Sequence, residues 1–187
     1  MESNFSDTVR SIYLIGNPVK HSISPQIYNA AFQQANLPYK YKLKQITQEE
    51  IPKFIENVKE TDIPGFNITL PYKSKILEYM DIIEPIAQKI GAINTVKNTN
   101  GVLSGINTDI DGIHSACLEA KFEPLPDQNI VIIGAGGAAR SIAFYFSSFD
   151  FLNIFILNRT FFNAEEIRND LIDEFDNTTF YLADYPS

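Results

Sequence analysis

Short apolar runs alternate along this chain with longer segments in which apolar residues recur every three or four positions. Runs rich in Ile, Val, Phe and Tyr predict strands, and the longer segments predict amphipathic helices. The predicted strands are residues 11–15, 39–43, 65–70, 92–97, 102–105, 129–133, 153–157 and 178–182. The predicted helices begin at residues 24, 47, 71, 81, 109, 137 and 161. Strands that alternate with helices indicate an α/β fold with a largely parallel sheet.

Cap and turn residues mark several of these boundaries. Ser24 followed by Pro25 predicts a helix with the serine as its N-cap. Thr47 and Glu50 have the spacing of a capping box, and the pair Asn100-Gly101 predicts a hairpin turn. The apolar face predicted for the first helix consists of Ile27, Ala30, Ala31 and Ala35.

Composition restricts the class of function. The 187 residues are 44% hydrophobic and 20% charged, which is ordinary for a globular protein with a real core. The formal net charge of -8 opposes binding to nucleic acid or to an anionic membrane surface. No apolar stretch approaches the length of a membrane span, and the N-terminus lacks the apolar run of a signal peptide.

The cysteine and histidine content bears on disulfides, location and metal binding. Cys117 is the single cysteine, so no internal disulfide can form, and we expect a cytoplasmic protein. Cys117 lies in an apolar helical stretch, where a core position is more common than a nucleophile. With His21 and His114 far apart in sequence, we expect no bound metal.

A glycine-rich motif follows the predicted strand at residues 129–133. Gly134, Gly136 and Ala139 match G-x-G-x-x-G/A between a strand and a helix, the context in which this motif binds a dinucleotide. The free N–H groups and partial positive charge of the helix N-terminus favour phosphate. The candidate residues for the pyrophosphate are Gly134, Ala135, Gly136, Gly137 and Ala138. A turn that serves packing alone is the alternative.

The end of the next predicted strand selects among dinucleotides. NAD-binding proteins normally place an acidic residue there for the ribose 2′-hydroxyl. This chain has Asn158, Arg159 and Thr160 instead. Without a carboxylate to repel a 2′-phosphate, and with a guanidinium to bind one, NADP is favoured over NAD. The alternative for Arg159 is a solvated surface residue.

Polar residues cluster after the predicted strands of the first half. The segments concerned are residues 16–32, 67–73, 91–95 and 105–109. Ligands of open α/β sheets bind at the carboxyl ends of strands, so we expect these segments to converge on one cleft. Their hydroxyl, amide, Lys and Asp groups suit a small molecule that carries hydroxyls and a carboxylate.

The motifs in these segments resemble those of the shikimate dehydrogenase family. They are H-S-x-S-P at 21–25, N-x-T-x-P-x-K at 67–73, G-A-x-N-T at 91–95 and G-x-N-T-D at 105–109, followed by the glycine motif and Asn-Arg-Thr at 158–160. The resemblance runs in family order from Tyr13 to about Thr160. It implies NADPH-dependent, reversible reduction of 3-dehydroshikimate to shikimate, a step of aromatic amino-acid biosynthesis.

The resemblance also implies residue roles. Ser22 and Ser24 would hold the substrate carboxylate, and Asn67, Thr69, Asn94 and Asp109 would contact ring hydroxyls. Lys73 and Asp109 would form the catalytic pair. It further implies a substrate-binding catalytic domain at residues 1–108, a connecting helix and linker at 109–128, and the first half of a Rossmann-type NADP-binding domain at 129–187.

Several of these residues also have ordinary structural interpretations. Lys73 could be an exposed helix lysine, and Asp109 a helix N-cap. Ser24 is a good N-cap regardless of any ligand, whereas Ser22 has no such duty and is the cleaner functional marker. His21 and Tyr28 are interpreted as packing residues behind the site.

The chain departs from the family pattern in two places. Asn163 occupies a position that is often basic, so the NADP preference is expected to be softer unless Arg140 compensates. The chain also stops after half a Rossmann unit, which predicts a fragment or an incomplete gene product with an exposed sheet edge near residue 180. No residue corresponds to the family's ligand-binding glutamine on a C-terminal helix.

Alternative functions follow from these departures. One is a quinate/shikimate dehydrogenase, which the two serines and the missing acidic residue at position 158 disfavour. Another is a catalytically silent fragment that binds shikimate. A protein-interaction scaffold has little support, and we expect a monomer or a homodimer.

Overall fold

Two separate sheets organise the chain in the computed structural model, which describes residues 9–122, 124–125, 128–149 and 153–184. The first sheet has six strands and the second has three. The N-terminal unit consists of β1 (Arg10–Gly16), α1 (Ser24–Gln34), β2 (Tyr39–Gln45), α2 (Ile51–Glu60), β3 (Gly65–Ile68), a 3₁₀ helix (Lys75–Tyr79), β4 (Ile82–Ile83), α3 (Pro85–Ile90), β5 (Thr95–Thr99) and β6 (Val102–Ile106). Helix α4 (Asp109–Glu119) leads to the C-terminal unit, with β7 (Asn129–Ile133), α5 (Gly137–Ser147), β8 (Asn153–Asn158), α6 (Phe161–Ile172) and β9 (Thr179–Asp184).

The six-stranded sheet is mixed, in the order β2-β1-β3-β5-β6-β4. Three of its pairings are parallel, β1 with β2, β1 with β3 and β4 with β6. The predicted hairpin at Asn100-Gly101 is confirmed, with both residues at positive φ (52° and 87°) and an antiparallel β5–β6 pair. Strand β5 is also antiparallel to β3, so β5 interrupts the parallel order of the sheet.

The main core lies between this sheet and α2. Ile51, Phe54, Ile55 and Val58 follow helical spacing and are all buried. They pack in one cluster with fully or almost fully buried residues of the sheet and of the segment after β3, including Phe66, Ile68, Ile76 and Leu103. One hydrogen bond of the predicted capping box is present, because Glu50 Oε2 accepts from the Thr47 backbone N–H at 2.7 Å. Helix α2 itself begins later than predicted, at Ile51.

The apolar face predicted for α1 does not lie in a core. No residue of α1 is buried in the described structure, and Ile27 is 58% exposed. The helix is instead attached to β2 through Asn29, whose side chain donates to the Tyr41 carbonyl (3.1 Å) and accepts from the Tyr41 N–H (2.8 Å). Because β2 is an edge strand, this amide satisfies backbone groups that no neighbouring strand pairs.

Two predicted helix starts are wrong. The helix expected from Pro71 is replaced by turns and a 3₁₀ helix that begins at Lys75. The helix expected from Asp81 begins at Pro85, because Ile82 and Ile83 pair with β6. Its predicted end is correct, since Gly91 is the left-handed C-cap with φ of 68°.

The C-terminal unit is a single βαβαβ arrangement with parallel strand order β7-β8-β9. Its core is formed by one face of the strands and the inner faces of α5 and α6, with Ile154, Ile156 and Ile167 fully buried. Both β7 and β9 are edges among the described strands. The edge expected near residue 180 is β9, where Tyr181 is 45% exposed, and β7 exposes more apolar surface, with Val131 at 57% and Ile133 at 68%.

Helices α3 and α4 join the two units. Lys89 of α3 forms an ion pair with Glu174 at 2.5 Å, and Arg140 of α5 pairs with Asp170 of α6 directly beside Gly91. Helix α4 packs on α5, and Cys117 there is half-buried. Among the described residues, none of the helices is both long and apolar enough to cross a membrane.

Candidate active site

A polar cavity of about 310 Å³ opens at the carboxyl ends of β1 and β3. Its wall includes most of the substrate residues predicted from the sequence, namely Ser22, Ser24, Asn67, Thr69, Lys73 and Asn94. Because β1 and β3 are parallel and β5 is antiparallel to β3, the ends of β1 and β3 lie at the same edge of the sheet as the start of β5, and Ser22 and Asn94 meet there. His21, Tyr28, Tyr41 and Thr108 also line the polar cavity.

Lys73 and Asp109 form an ion pair, with Lys73 Nζ 2.6 Å from Asp109 Oδ2. The two side chains are 13% and 23% exposed, respectively. The alternative interpretation of Lys73 as an exposed helix lysine is therefore wrong. The other carboxylate oxygen of Asp109 accepts a hydrogen bond from Asn94 Nδ2 at 2.7 Å. Asp109 is therefore not a helix N-cap, because both of its oxygens are directed at Lys73 and Asn94.

The amide of Asn94 is held in one orientation. Its Oδ1 accepts hydrogen bonds from the Thr108 N–H (3.1 Å) and from the Thr95 hydroxyl (2.9 Å), while its Nδ2 donates to Thr108 Oγ1 (2.9 Å) and to Asp109. Donors and acceptors on both sides of an amide fix which end is nitrogen. The orientation of the Asn94 amide is therefore fixed, in the cavity wall that it shares with Lys73.

Asn67 is held in a similar way by a tyrosine that the sequence did not single out. Tyr41 OH donates to Asn67 Oδ1 at 2.8 Å, and Asn67 Nδ2 donates to Thr95 Oγ1 at 2.8 Å. Burial, with a smaller contribution from Tyr28, raises the pKa of the Tyr41 phenol. The phenol therefore stays a neutral donor to Asn67 at physiological pH.

Tyr28 lines the polar cavity rather than lying behind it. Its ring stacks on Tyr41 with centroids 4.5 Å apart and an interplanar angle of 7°. Tyr28 is 40% exposed, and it forms part of the cavity wall together with His21. The sequence analysis interpreted Tyr28 as a packing residue and did not single out Tyr41, because no motif distinguishes a cavity wall from ordinary packing.

The two serines exchange the roles expected from the sequence. Helix α1 begins at Ser24, and its N-cap is Ile23, whose side chain makes no capping hydrogen bond. Ser22 Oγ accepts a hydrogen bond from the Ser24 N–H at 3.2 Å, and the Ser22 hydroxyl donates to Ser24 Oγ at 3.0 Å. Ser22 thus has a structural duty at the helix start, and Ser24 is the serine without one.

The glycine loop has the backbone that its motif requires. Gly134 has φ of 111°, a conformation that L side chains rarely adopt, and Gly136 is exposed directly before α5. Among the described residues, no side chain caps the N-terminus of α5, so its first N–H groups are available to an anion. Ala139 is buried against the strands, as the motif predicts.

A glycine-loop groove of about 560 Å³ lies between this loop and the N-terminal unit. Of the predicted dinucleotide residues, Ala135, Gly136, Gly137 and Asn158 line it, whereas Gly134, Ala138, Arg159 and Thr160 do not. Lys73 lines this groove as well as the polar cavity. The side chain of Lys73 is therefore shared by the two candidate binding regions.

The basic residues near the groove differ in availability. Arg159 is exposed and forms no hydrogen bond or ion pair with any described residue. Arg140 lines the groove together with Asn163, and its side chain is 11% exposed and paired with Asp170. Asn158 Nδ2 donates to the Thr160 carbonyl at 2.8 Å, which shapes the turn that carries Arg159. Glu166 places a carboxylate in the groove.

The fold and the site define an α/β protein with a Rossmann-type βαβαβ unit. The groove beside its glycine loop and the polar cavity of the N-terminal unit share one lining residue that carries charge, Lys73. A family model described as the shikimate dehydrogenase substrate binding domain matches residues 14–96. A second model, described as shikimate / quinate 5-dehydrogenase, matches residues 116–185. Among the part of the chain that the structure describes, no three His, Cys, Asp or Glu side chains are grouped to hold a metal ion.

Curated relatives and a solved structure agree with these matches. The chain is 43% identical over 163 residues to shikimate dehydrogenase (NADP(+)) from Methanocaldococcus jannaschii, covering 87% of this chain and 57% of that protein. It is 41% identical over 154 residues to the enzyme of the same name from Bacillus cereus strain G9842, covering 82% and 56%. The crystal structure of shikimate 5-dehydrogenase from Listeria monocytogenes, in complex with shikimate and NAD, superposes with a TM-score of 0.82 at 32% identity, covering 98% and 64%.

The chain belongs to the shikimate dehydrogenase family. It spans somewhat more than half the length of the curated relatives it matches, 56% and 57% for the two named above.

Proposed function

We propose that the chain carries the substrate and dinucleotide sites of an NADP-dependent shikimate dehydrogenase, which interconverts 3-dehydroshikimate and shikimate. The observation that carries this proposal is the position of Lys73, which lines both the polar cavity and the glycine-loop groove and is paired with Asp109 at 2.6 Å. The names of the curated relatives, which specify NADP(+), support the cofactor.

The polar cavity suits the substrate by size and chemistry. A cavity of about 310 Å³ lies at the lower end of the range for small-molecule sites. We infer that the hydroxyls of Ser22 and Ser24 bind the substrate carboxylate. Asn67, Thr69 and Asn94 face the same space and would bind ring hydroxyls, since amides and hydroxyls can both donate and accept.

The glycine loop suits the dinucleotide. The positive φ of Gly134, the exposed Gly136 and the uncapped start of α5 together leave backbone N–H groups for a pyrophosphate. Arg159 is free to bind a 2′-phosphate through its guanidinium. When bound, NADPH supplies the hydride that reduces the ring carbonyl.

Lys73 and Asp109 would supply the proton. As the carbonyl oxygen gains negative charge, the Lys73 ammonium beside it can donate a proton, and the neutral amine can take one back in the reverse reaction. Asp109 holds the ammonium in place, and Asn94 fixes the second carboxylate oxygen at 2.7 Å. This arrangement gives Lys73 a defined position relative to both candidate ligands.

The first test is the rate of NADP⁺ reduction by shikimate, monitored by the absorbance of NADPH. The second is the affinity for shikimate, measured by calorimetry. Lys73→Met keeps most of the side-chain length and removes the charge, and we expect it to lower the rate by about 100-fold or more with little change in shikimate affinity. The matched control is Lys40→Met, because Lys40 is exposed on β2 and outside both binding regions.

Three results would contradict the proposal in different ways. Equal rates for Lys73→Met and the parent chain would remove Lys73 from proton transfer. Shikimate binding without NADP⁺ reduction would mean that the chain is a catalytically silent fragment that binds shikimate. Faster oxidation of quinate with NAD⁺ would point to a quinate/shikimate dehydrogenase.

We also propose the domain division at residues 1–108, 109–128 and 129–187, which the two separate sheets support. A cytoplasmic location is supported by the single cysteine, Cys117. A monomer or homodimer remains our prediction for the assembly, to be measured by sedimentation.

A further inference from the structure

A buried polar link connects α5 to the residue pair at the site. Ser141 of α5 is fully buried, at 0% exposure, and Asn107 is 4% exposed. Ser141 Oγ accepts a hydrogen bond from Asn107 Nδ2 at 3.0 Å and lies 3.5 Å from Asp109 Oδ2. Neither Ser141 nor Asn107 lines the polar cavity. The link therefore contacts Asp109 from outside the lining of the polar cavity.

Asn107 uses all of its hydrogen-bonding groups. Its Nδ2 donates to the Ala92 carbonyl (2.9 Å) and to Ser141 Oγ (3.0 Å), and its Oδ1 accepts from the Asp109 N–H (2.9 Å). Because two of these partners are backbone groups, the orientation of the amide is fixed. Asn107 therefore anchors the backbone of Asp109 and leaves its carboxylate free for Lys73 and Asn94.

The Ser141 hydroxyl has one proton and three acceptors within reach. They are the Gly137 carbonyl at 3.2 Å, Asn107 Oδ1 at 3.4 Å and Asp109 Oδ2 at 3.5 Å. All three distances are at the long end for an O–H donor, so no acceptor holds this proton strongly. Of these three acceptors, Asp109 Oδ2 is the one that carries charge.

The need for such a donor arises from proton transfer at Lys73. Asp109 Oδ2 is the oxygen that faces the Lys73 ammonium, at 2.6 Å. When Lys73 gives up its proton, the positive charge next to this oxygen disappears, while the carboxylate stays charged and largely buried. A carboxylate in that position is costly unless another donor compensates it.

We propose that Ser141, supported by Asn107, is a positioning residue that holds Asp109 Oδ2 while Lys73 exchanges its proton with the ligand. This inference rests on the proposed function. The same helix contacts Lys73 at its first residue, because Gly137 lies against the lysine stem. Helix α5 therefore supports both members of the pair, one turn apart.

The chain offers a matched control on the same helix. Ser147 is also buried, at 3% exposure, but its hydroxyl has no hydrogen-bond partner among the described residues. We expect Ser141→Ala to lower kcat for shikimate oxidation roughly tenfold, the effect of losing one hydrogen bond to a charged group. KM for shikimate and for NADP⁺ should stay within about twofold. Ser147→Ala should leave kcat unchanged.

A spectroscopic readout separates this inference from the proposed function. The ¹³C shift of the Asp109 carboxyl carbon, measured without any ligand, should move in Ser141→Ala and stay in place in Ser147→Ala. If the parent chain shows no activity but the Asp109 shift moves in Ser141→Ala, the proposed function is wrong and the contact between Ser141 and Asp109 is supported. If the parent chain is active and Ser141→Ala matches Ser147→Ala in rate and shift, the positioning role is wrong.

A second variant covers the case in which Ser141→Ala does not fold. Ser141→Cys fills the site with a slightly larger atom and replaces a hydroxyl by a weak donor. It should show the same Asp109 shift and a smaller loss of kcat, with Ser147→Cys as its control. An unchanged shift and rate in Ser141→Cys would equally overturn the inference.

Discussion

The side chain of Lys73 lies directly against the backbone of Gly137. A Cβ atom built at Gly137 would be 2.7 Å from Lys73 Cβ and 2.8 Å from Lys73 Cδ. Real Cβ atoms do not approach other atoms so closely, and the nearest atom belongs to the base of the lysine rather than to its flexible end. Gly137 is therefore required for close packing between the glycine loop and the residue that would exchange the proton.

The first prediction is that Gly137→Ala displaces Lys73. Overpacking at this contact should lower the free energy of unfolding by about 1–3 kcal/mol, measured by urea denaturation. Because the lysine moves away from its position between the two binding regions, the rate of NADP⁺ reduction should fall at least about tenfold. A variant with the parent rate would show that the contact relaxes without moving the ammonium.

The matched glycine variant is Gly112→Ala in α4, and it should have the opposite effect on stability. A Cβ at Gly112 would meet nothing within 4 Å, and the residue lies inside a helix. Alanine is the better helix former, so the free energy of unfolding should rise by about 0.5–1 kcal/mol. A decrease would mean that α4 is not helical at this position in solution.

Local signals predicted the parts of the fold that depend on few neighbours. The Asn100-Gly101 hairpin, the Gly134 turn and the Gly91 helix end each follow from the backbone conformation that those residues permit. The Lys73–Asp109 pair followed from the family resemblance. The three turns need no knowledge of distant packing, whereas the Lys73–Asp109 pair joins residues 36 positions apart.

The errors lie where distant contacts decide. Ile27 has the spacing of a core residue but faces outward, because α1 is attached through Asn29 and not through its apolar face. The roles of Ser22 and Ser24 changed places because the helix starts one residue earlier than the Ser-Pro signal predicts, with Ile23 and not Ser24 as its N-cap. Ser141 lies in no motif, and its contact with Asn107 spans 34 residues of sequence.

The second set of variants tests cofactor choice. We expect Arg159→Ala to weaken NADP⁺ binding roughly tenfold, the loss of a charge-assisted hydrogen bond to the 2′-phosphate. NAD⁺ lacks this phosphate and serves as the matched ligand, so its affinity should change little. Calorimetry with both dinucleotides measures the difference, and an equal loss for both would assign Arg159 to a general electrostatic role.

The third prediction concerns Arg140, which pairs with Asp170 in the C-terminal unit and lies beside Gly91 of the N-terminal unit. Asp170→Ala leaves the Arg140 guanidinium, which is 11% exposed, without its carboxylate partner. Since Asp170 itself is 48% exposed, we expect a loss of only about 1 kcal/mol in the free energy of unfolding. NADP⁺ affinity should not decrease.

The double variant Arg140→Ala/Asp170→Ala should cost less than the sum of the single variants, as expected for partners in contact. Additive costs would show that the ion pair contributes nothing to stability. A loss of NADP⁺ affinity in Asp170→Ala alone would mean that this pair orients the groove.

The fourth prediction is a pH dependence at Asp81. A hydrogen bond from the Leu103 N–H, and then the Lys59 ammonium, hold the pKa of the Asp81 carboxyl below its usual range. A lowered folded-state pKa gives stability that is present above the unfolded pKa and is lost as pH falls through the folded value. Asp81→Asn should therefore destabilise the chain at pH 7 and lose that effect as the pH is lowered towards about 3.

The size of this effect is limited, because the Asp81 side chain is 40% exposed. We expect less than about 1 kcal/mol by urea denaturation at pH 7. Asp62→Asn is the matched control, since Asp62 is exposed and has no partner among the described residues. A penalty for Asp81→Asn that stays constant between the two pH values would exclude the charge as its cause.

The uncovered side of β7 has a practical consequence for measurements in solution. Val131 and Ile133 are largely exposed on a strand that is paired, within the described residues, with β8 alone. Free backbone groups beside exposed apolar side chains favour the addition of a further strand. We therefore expect self-association to grow with protein concentration, so affinities should be determined at two dilutions before any difference between variants is attributed to the substitution.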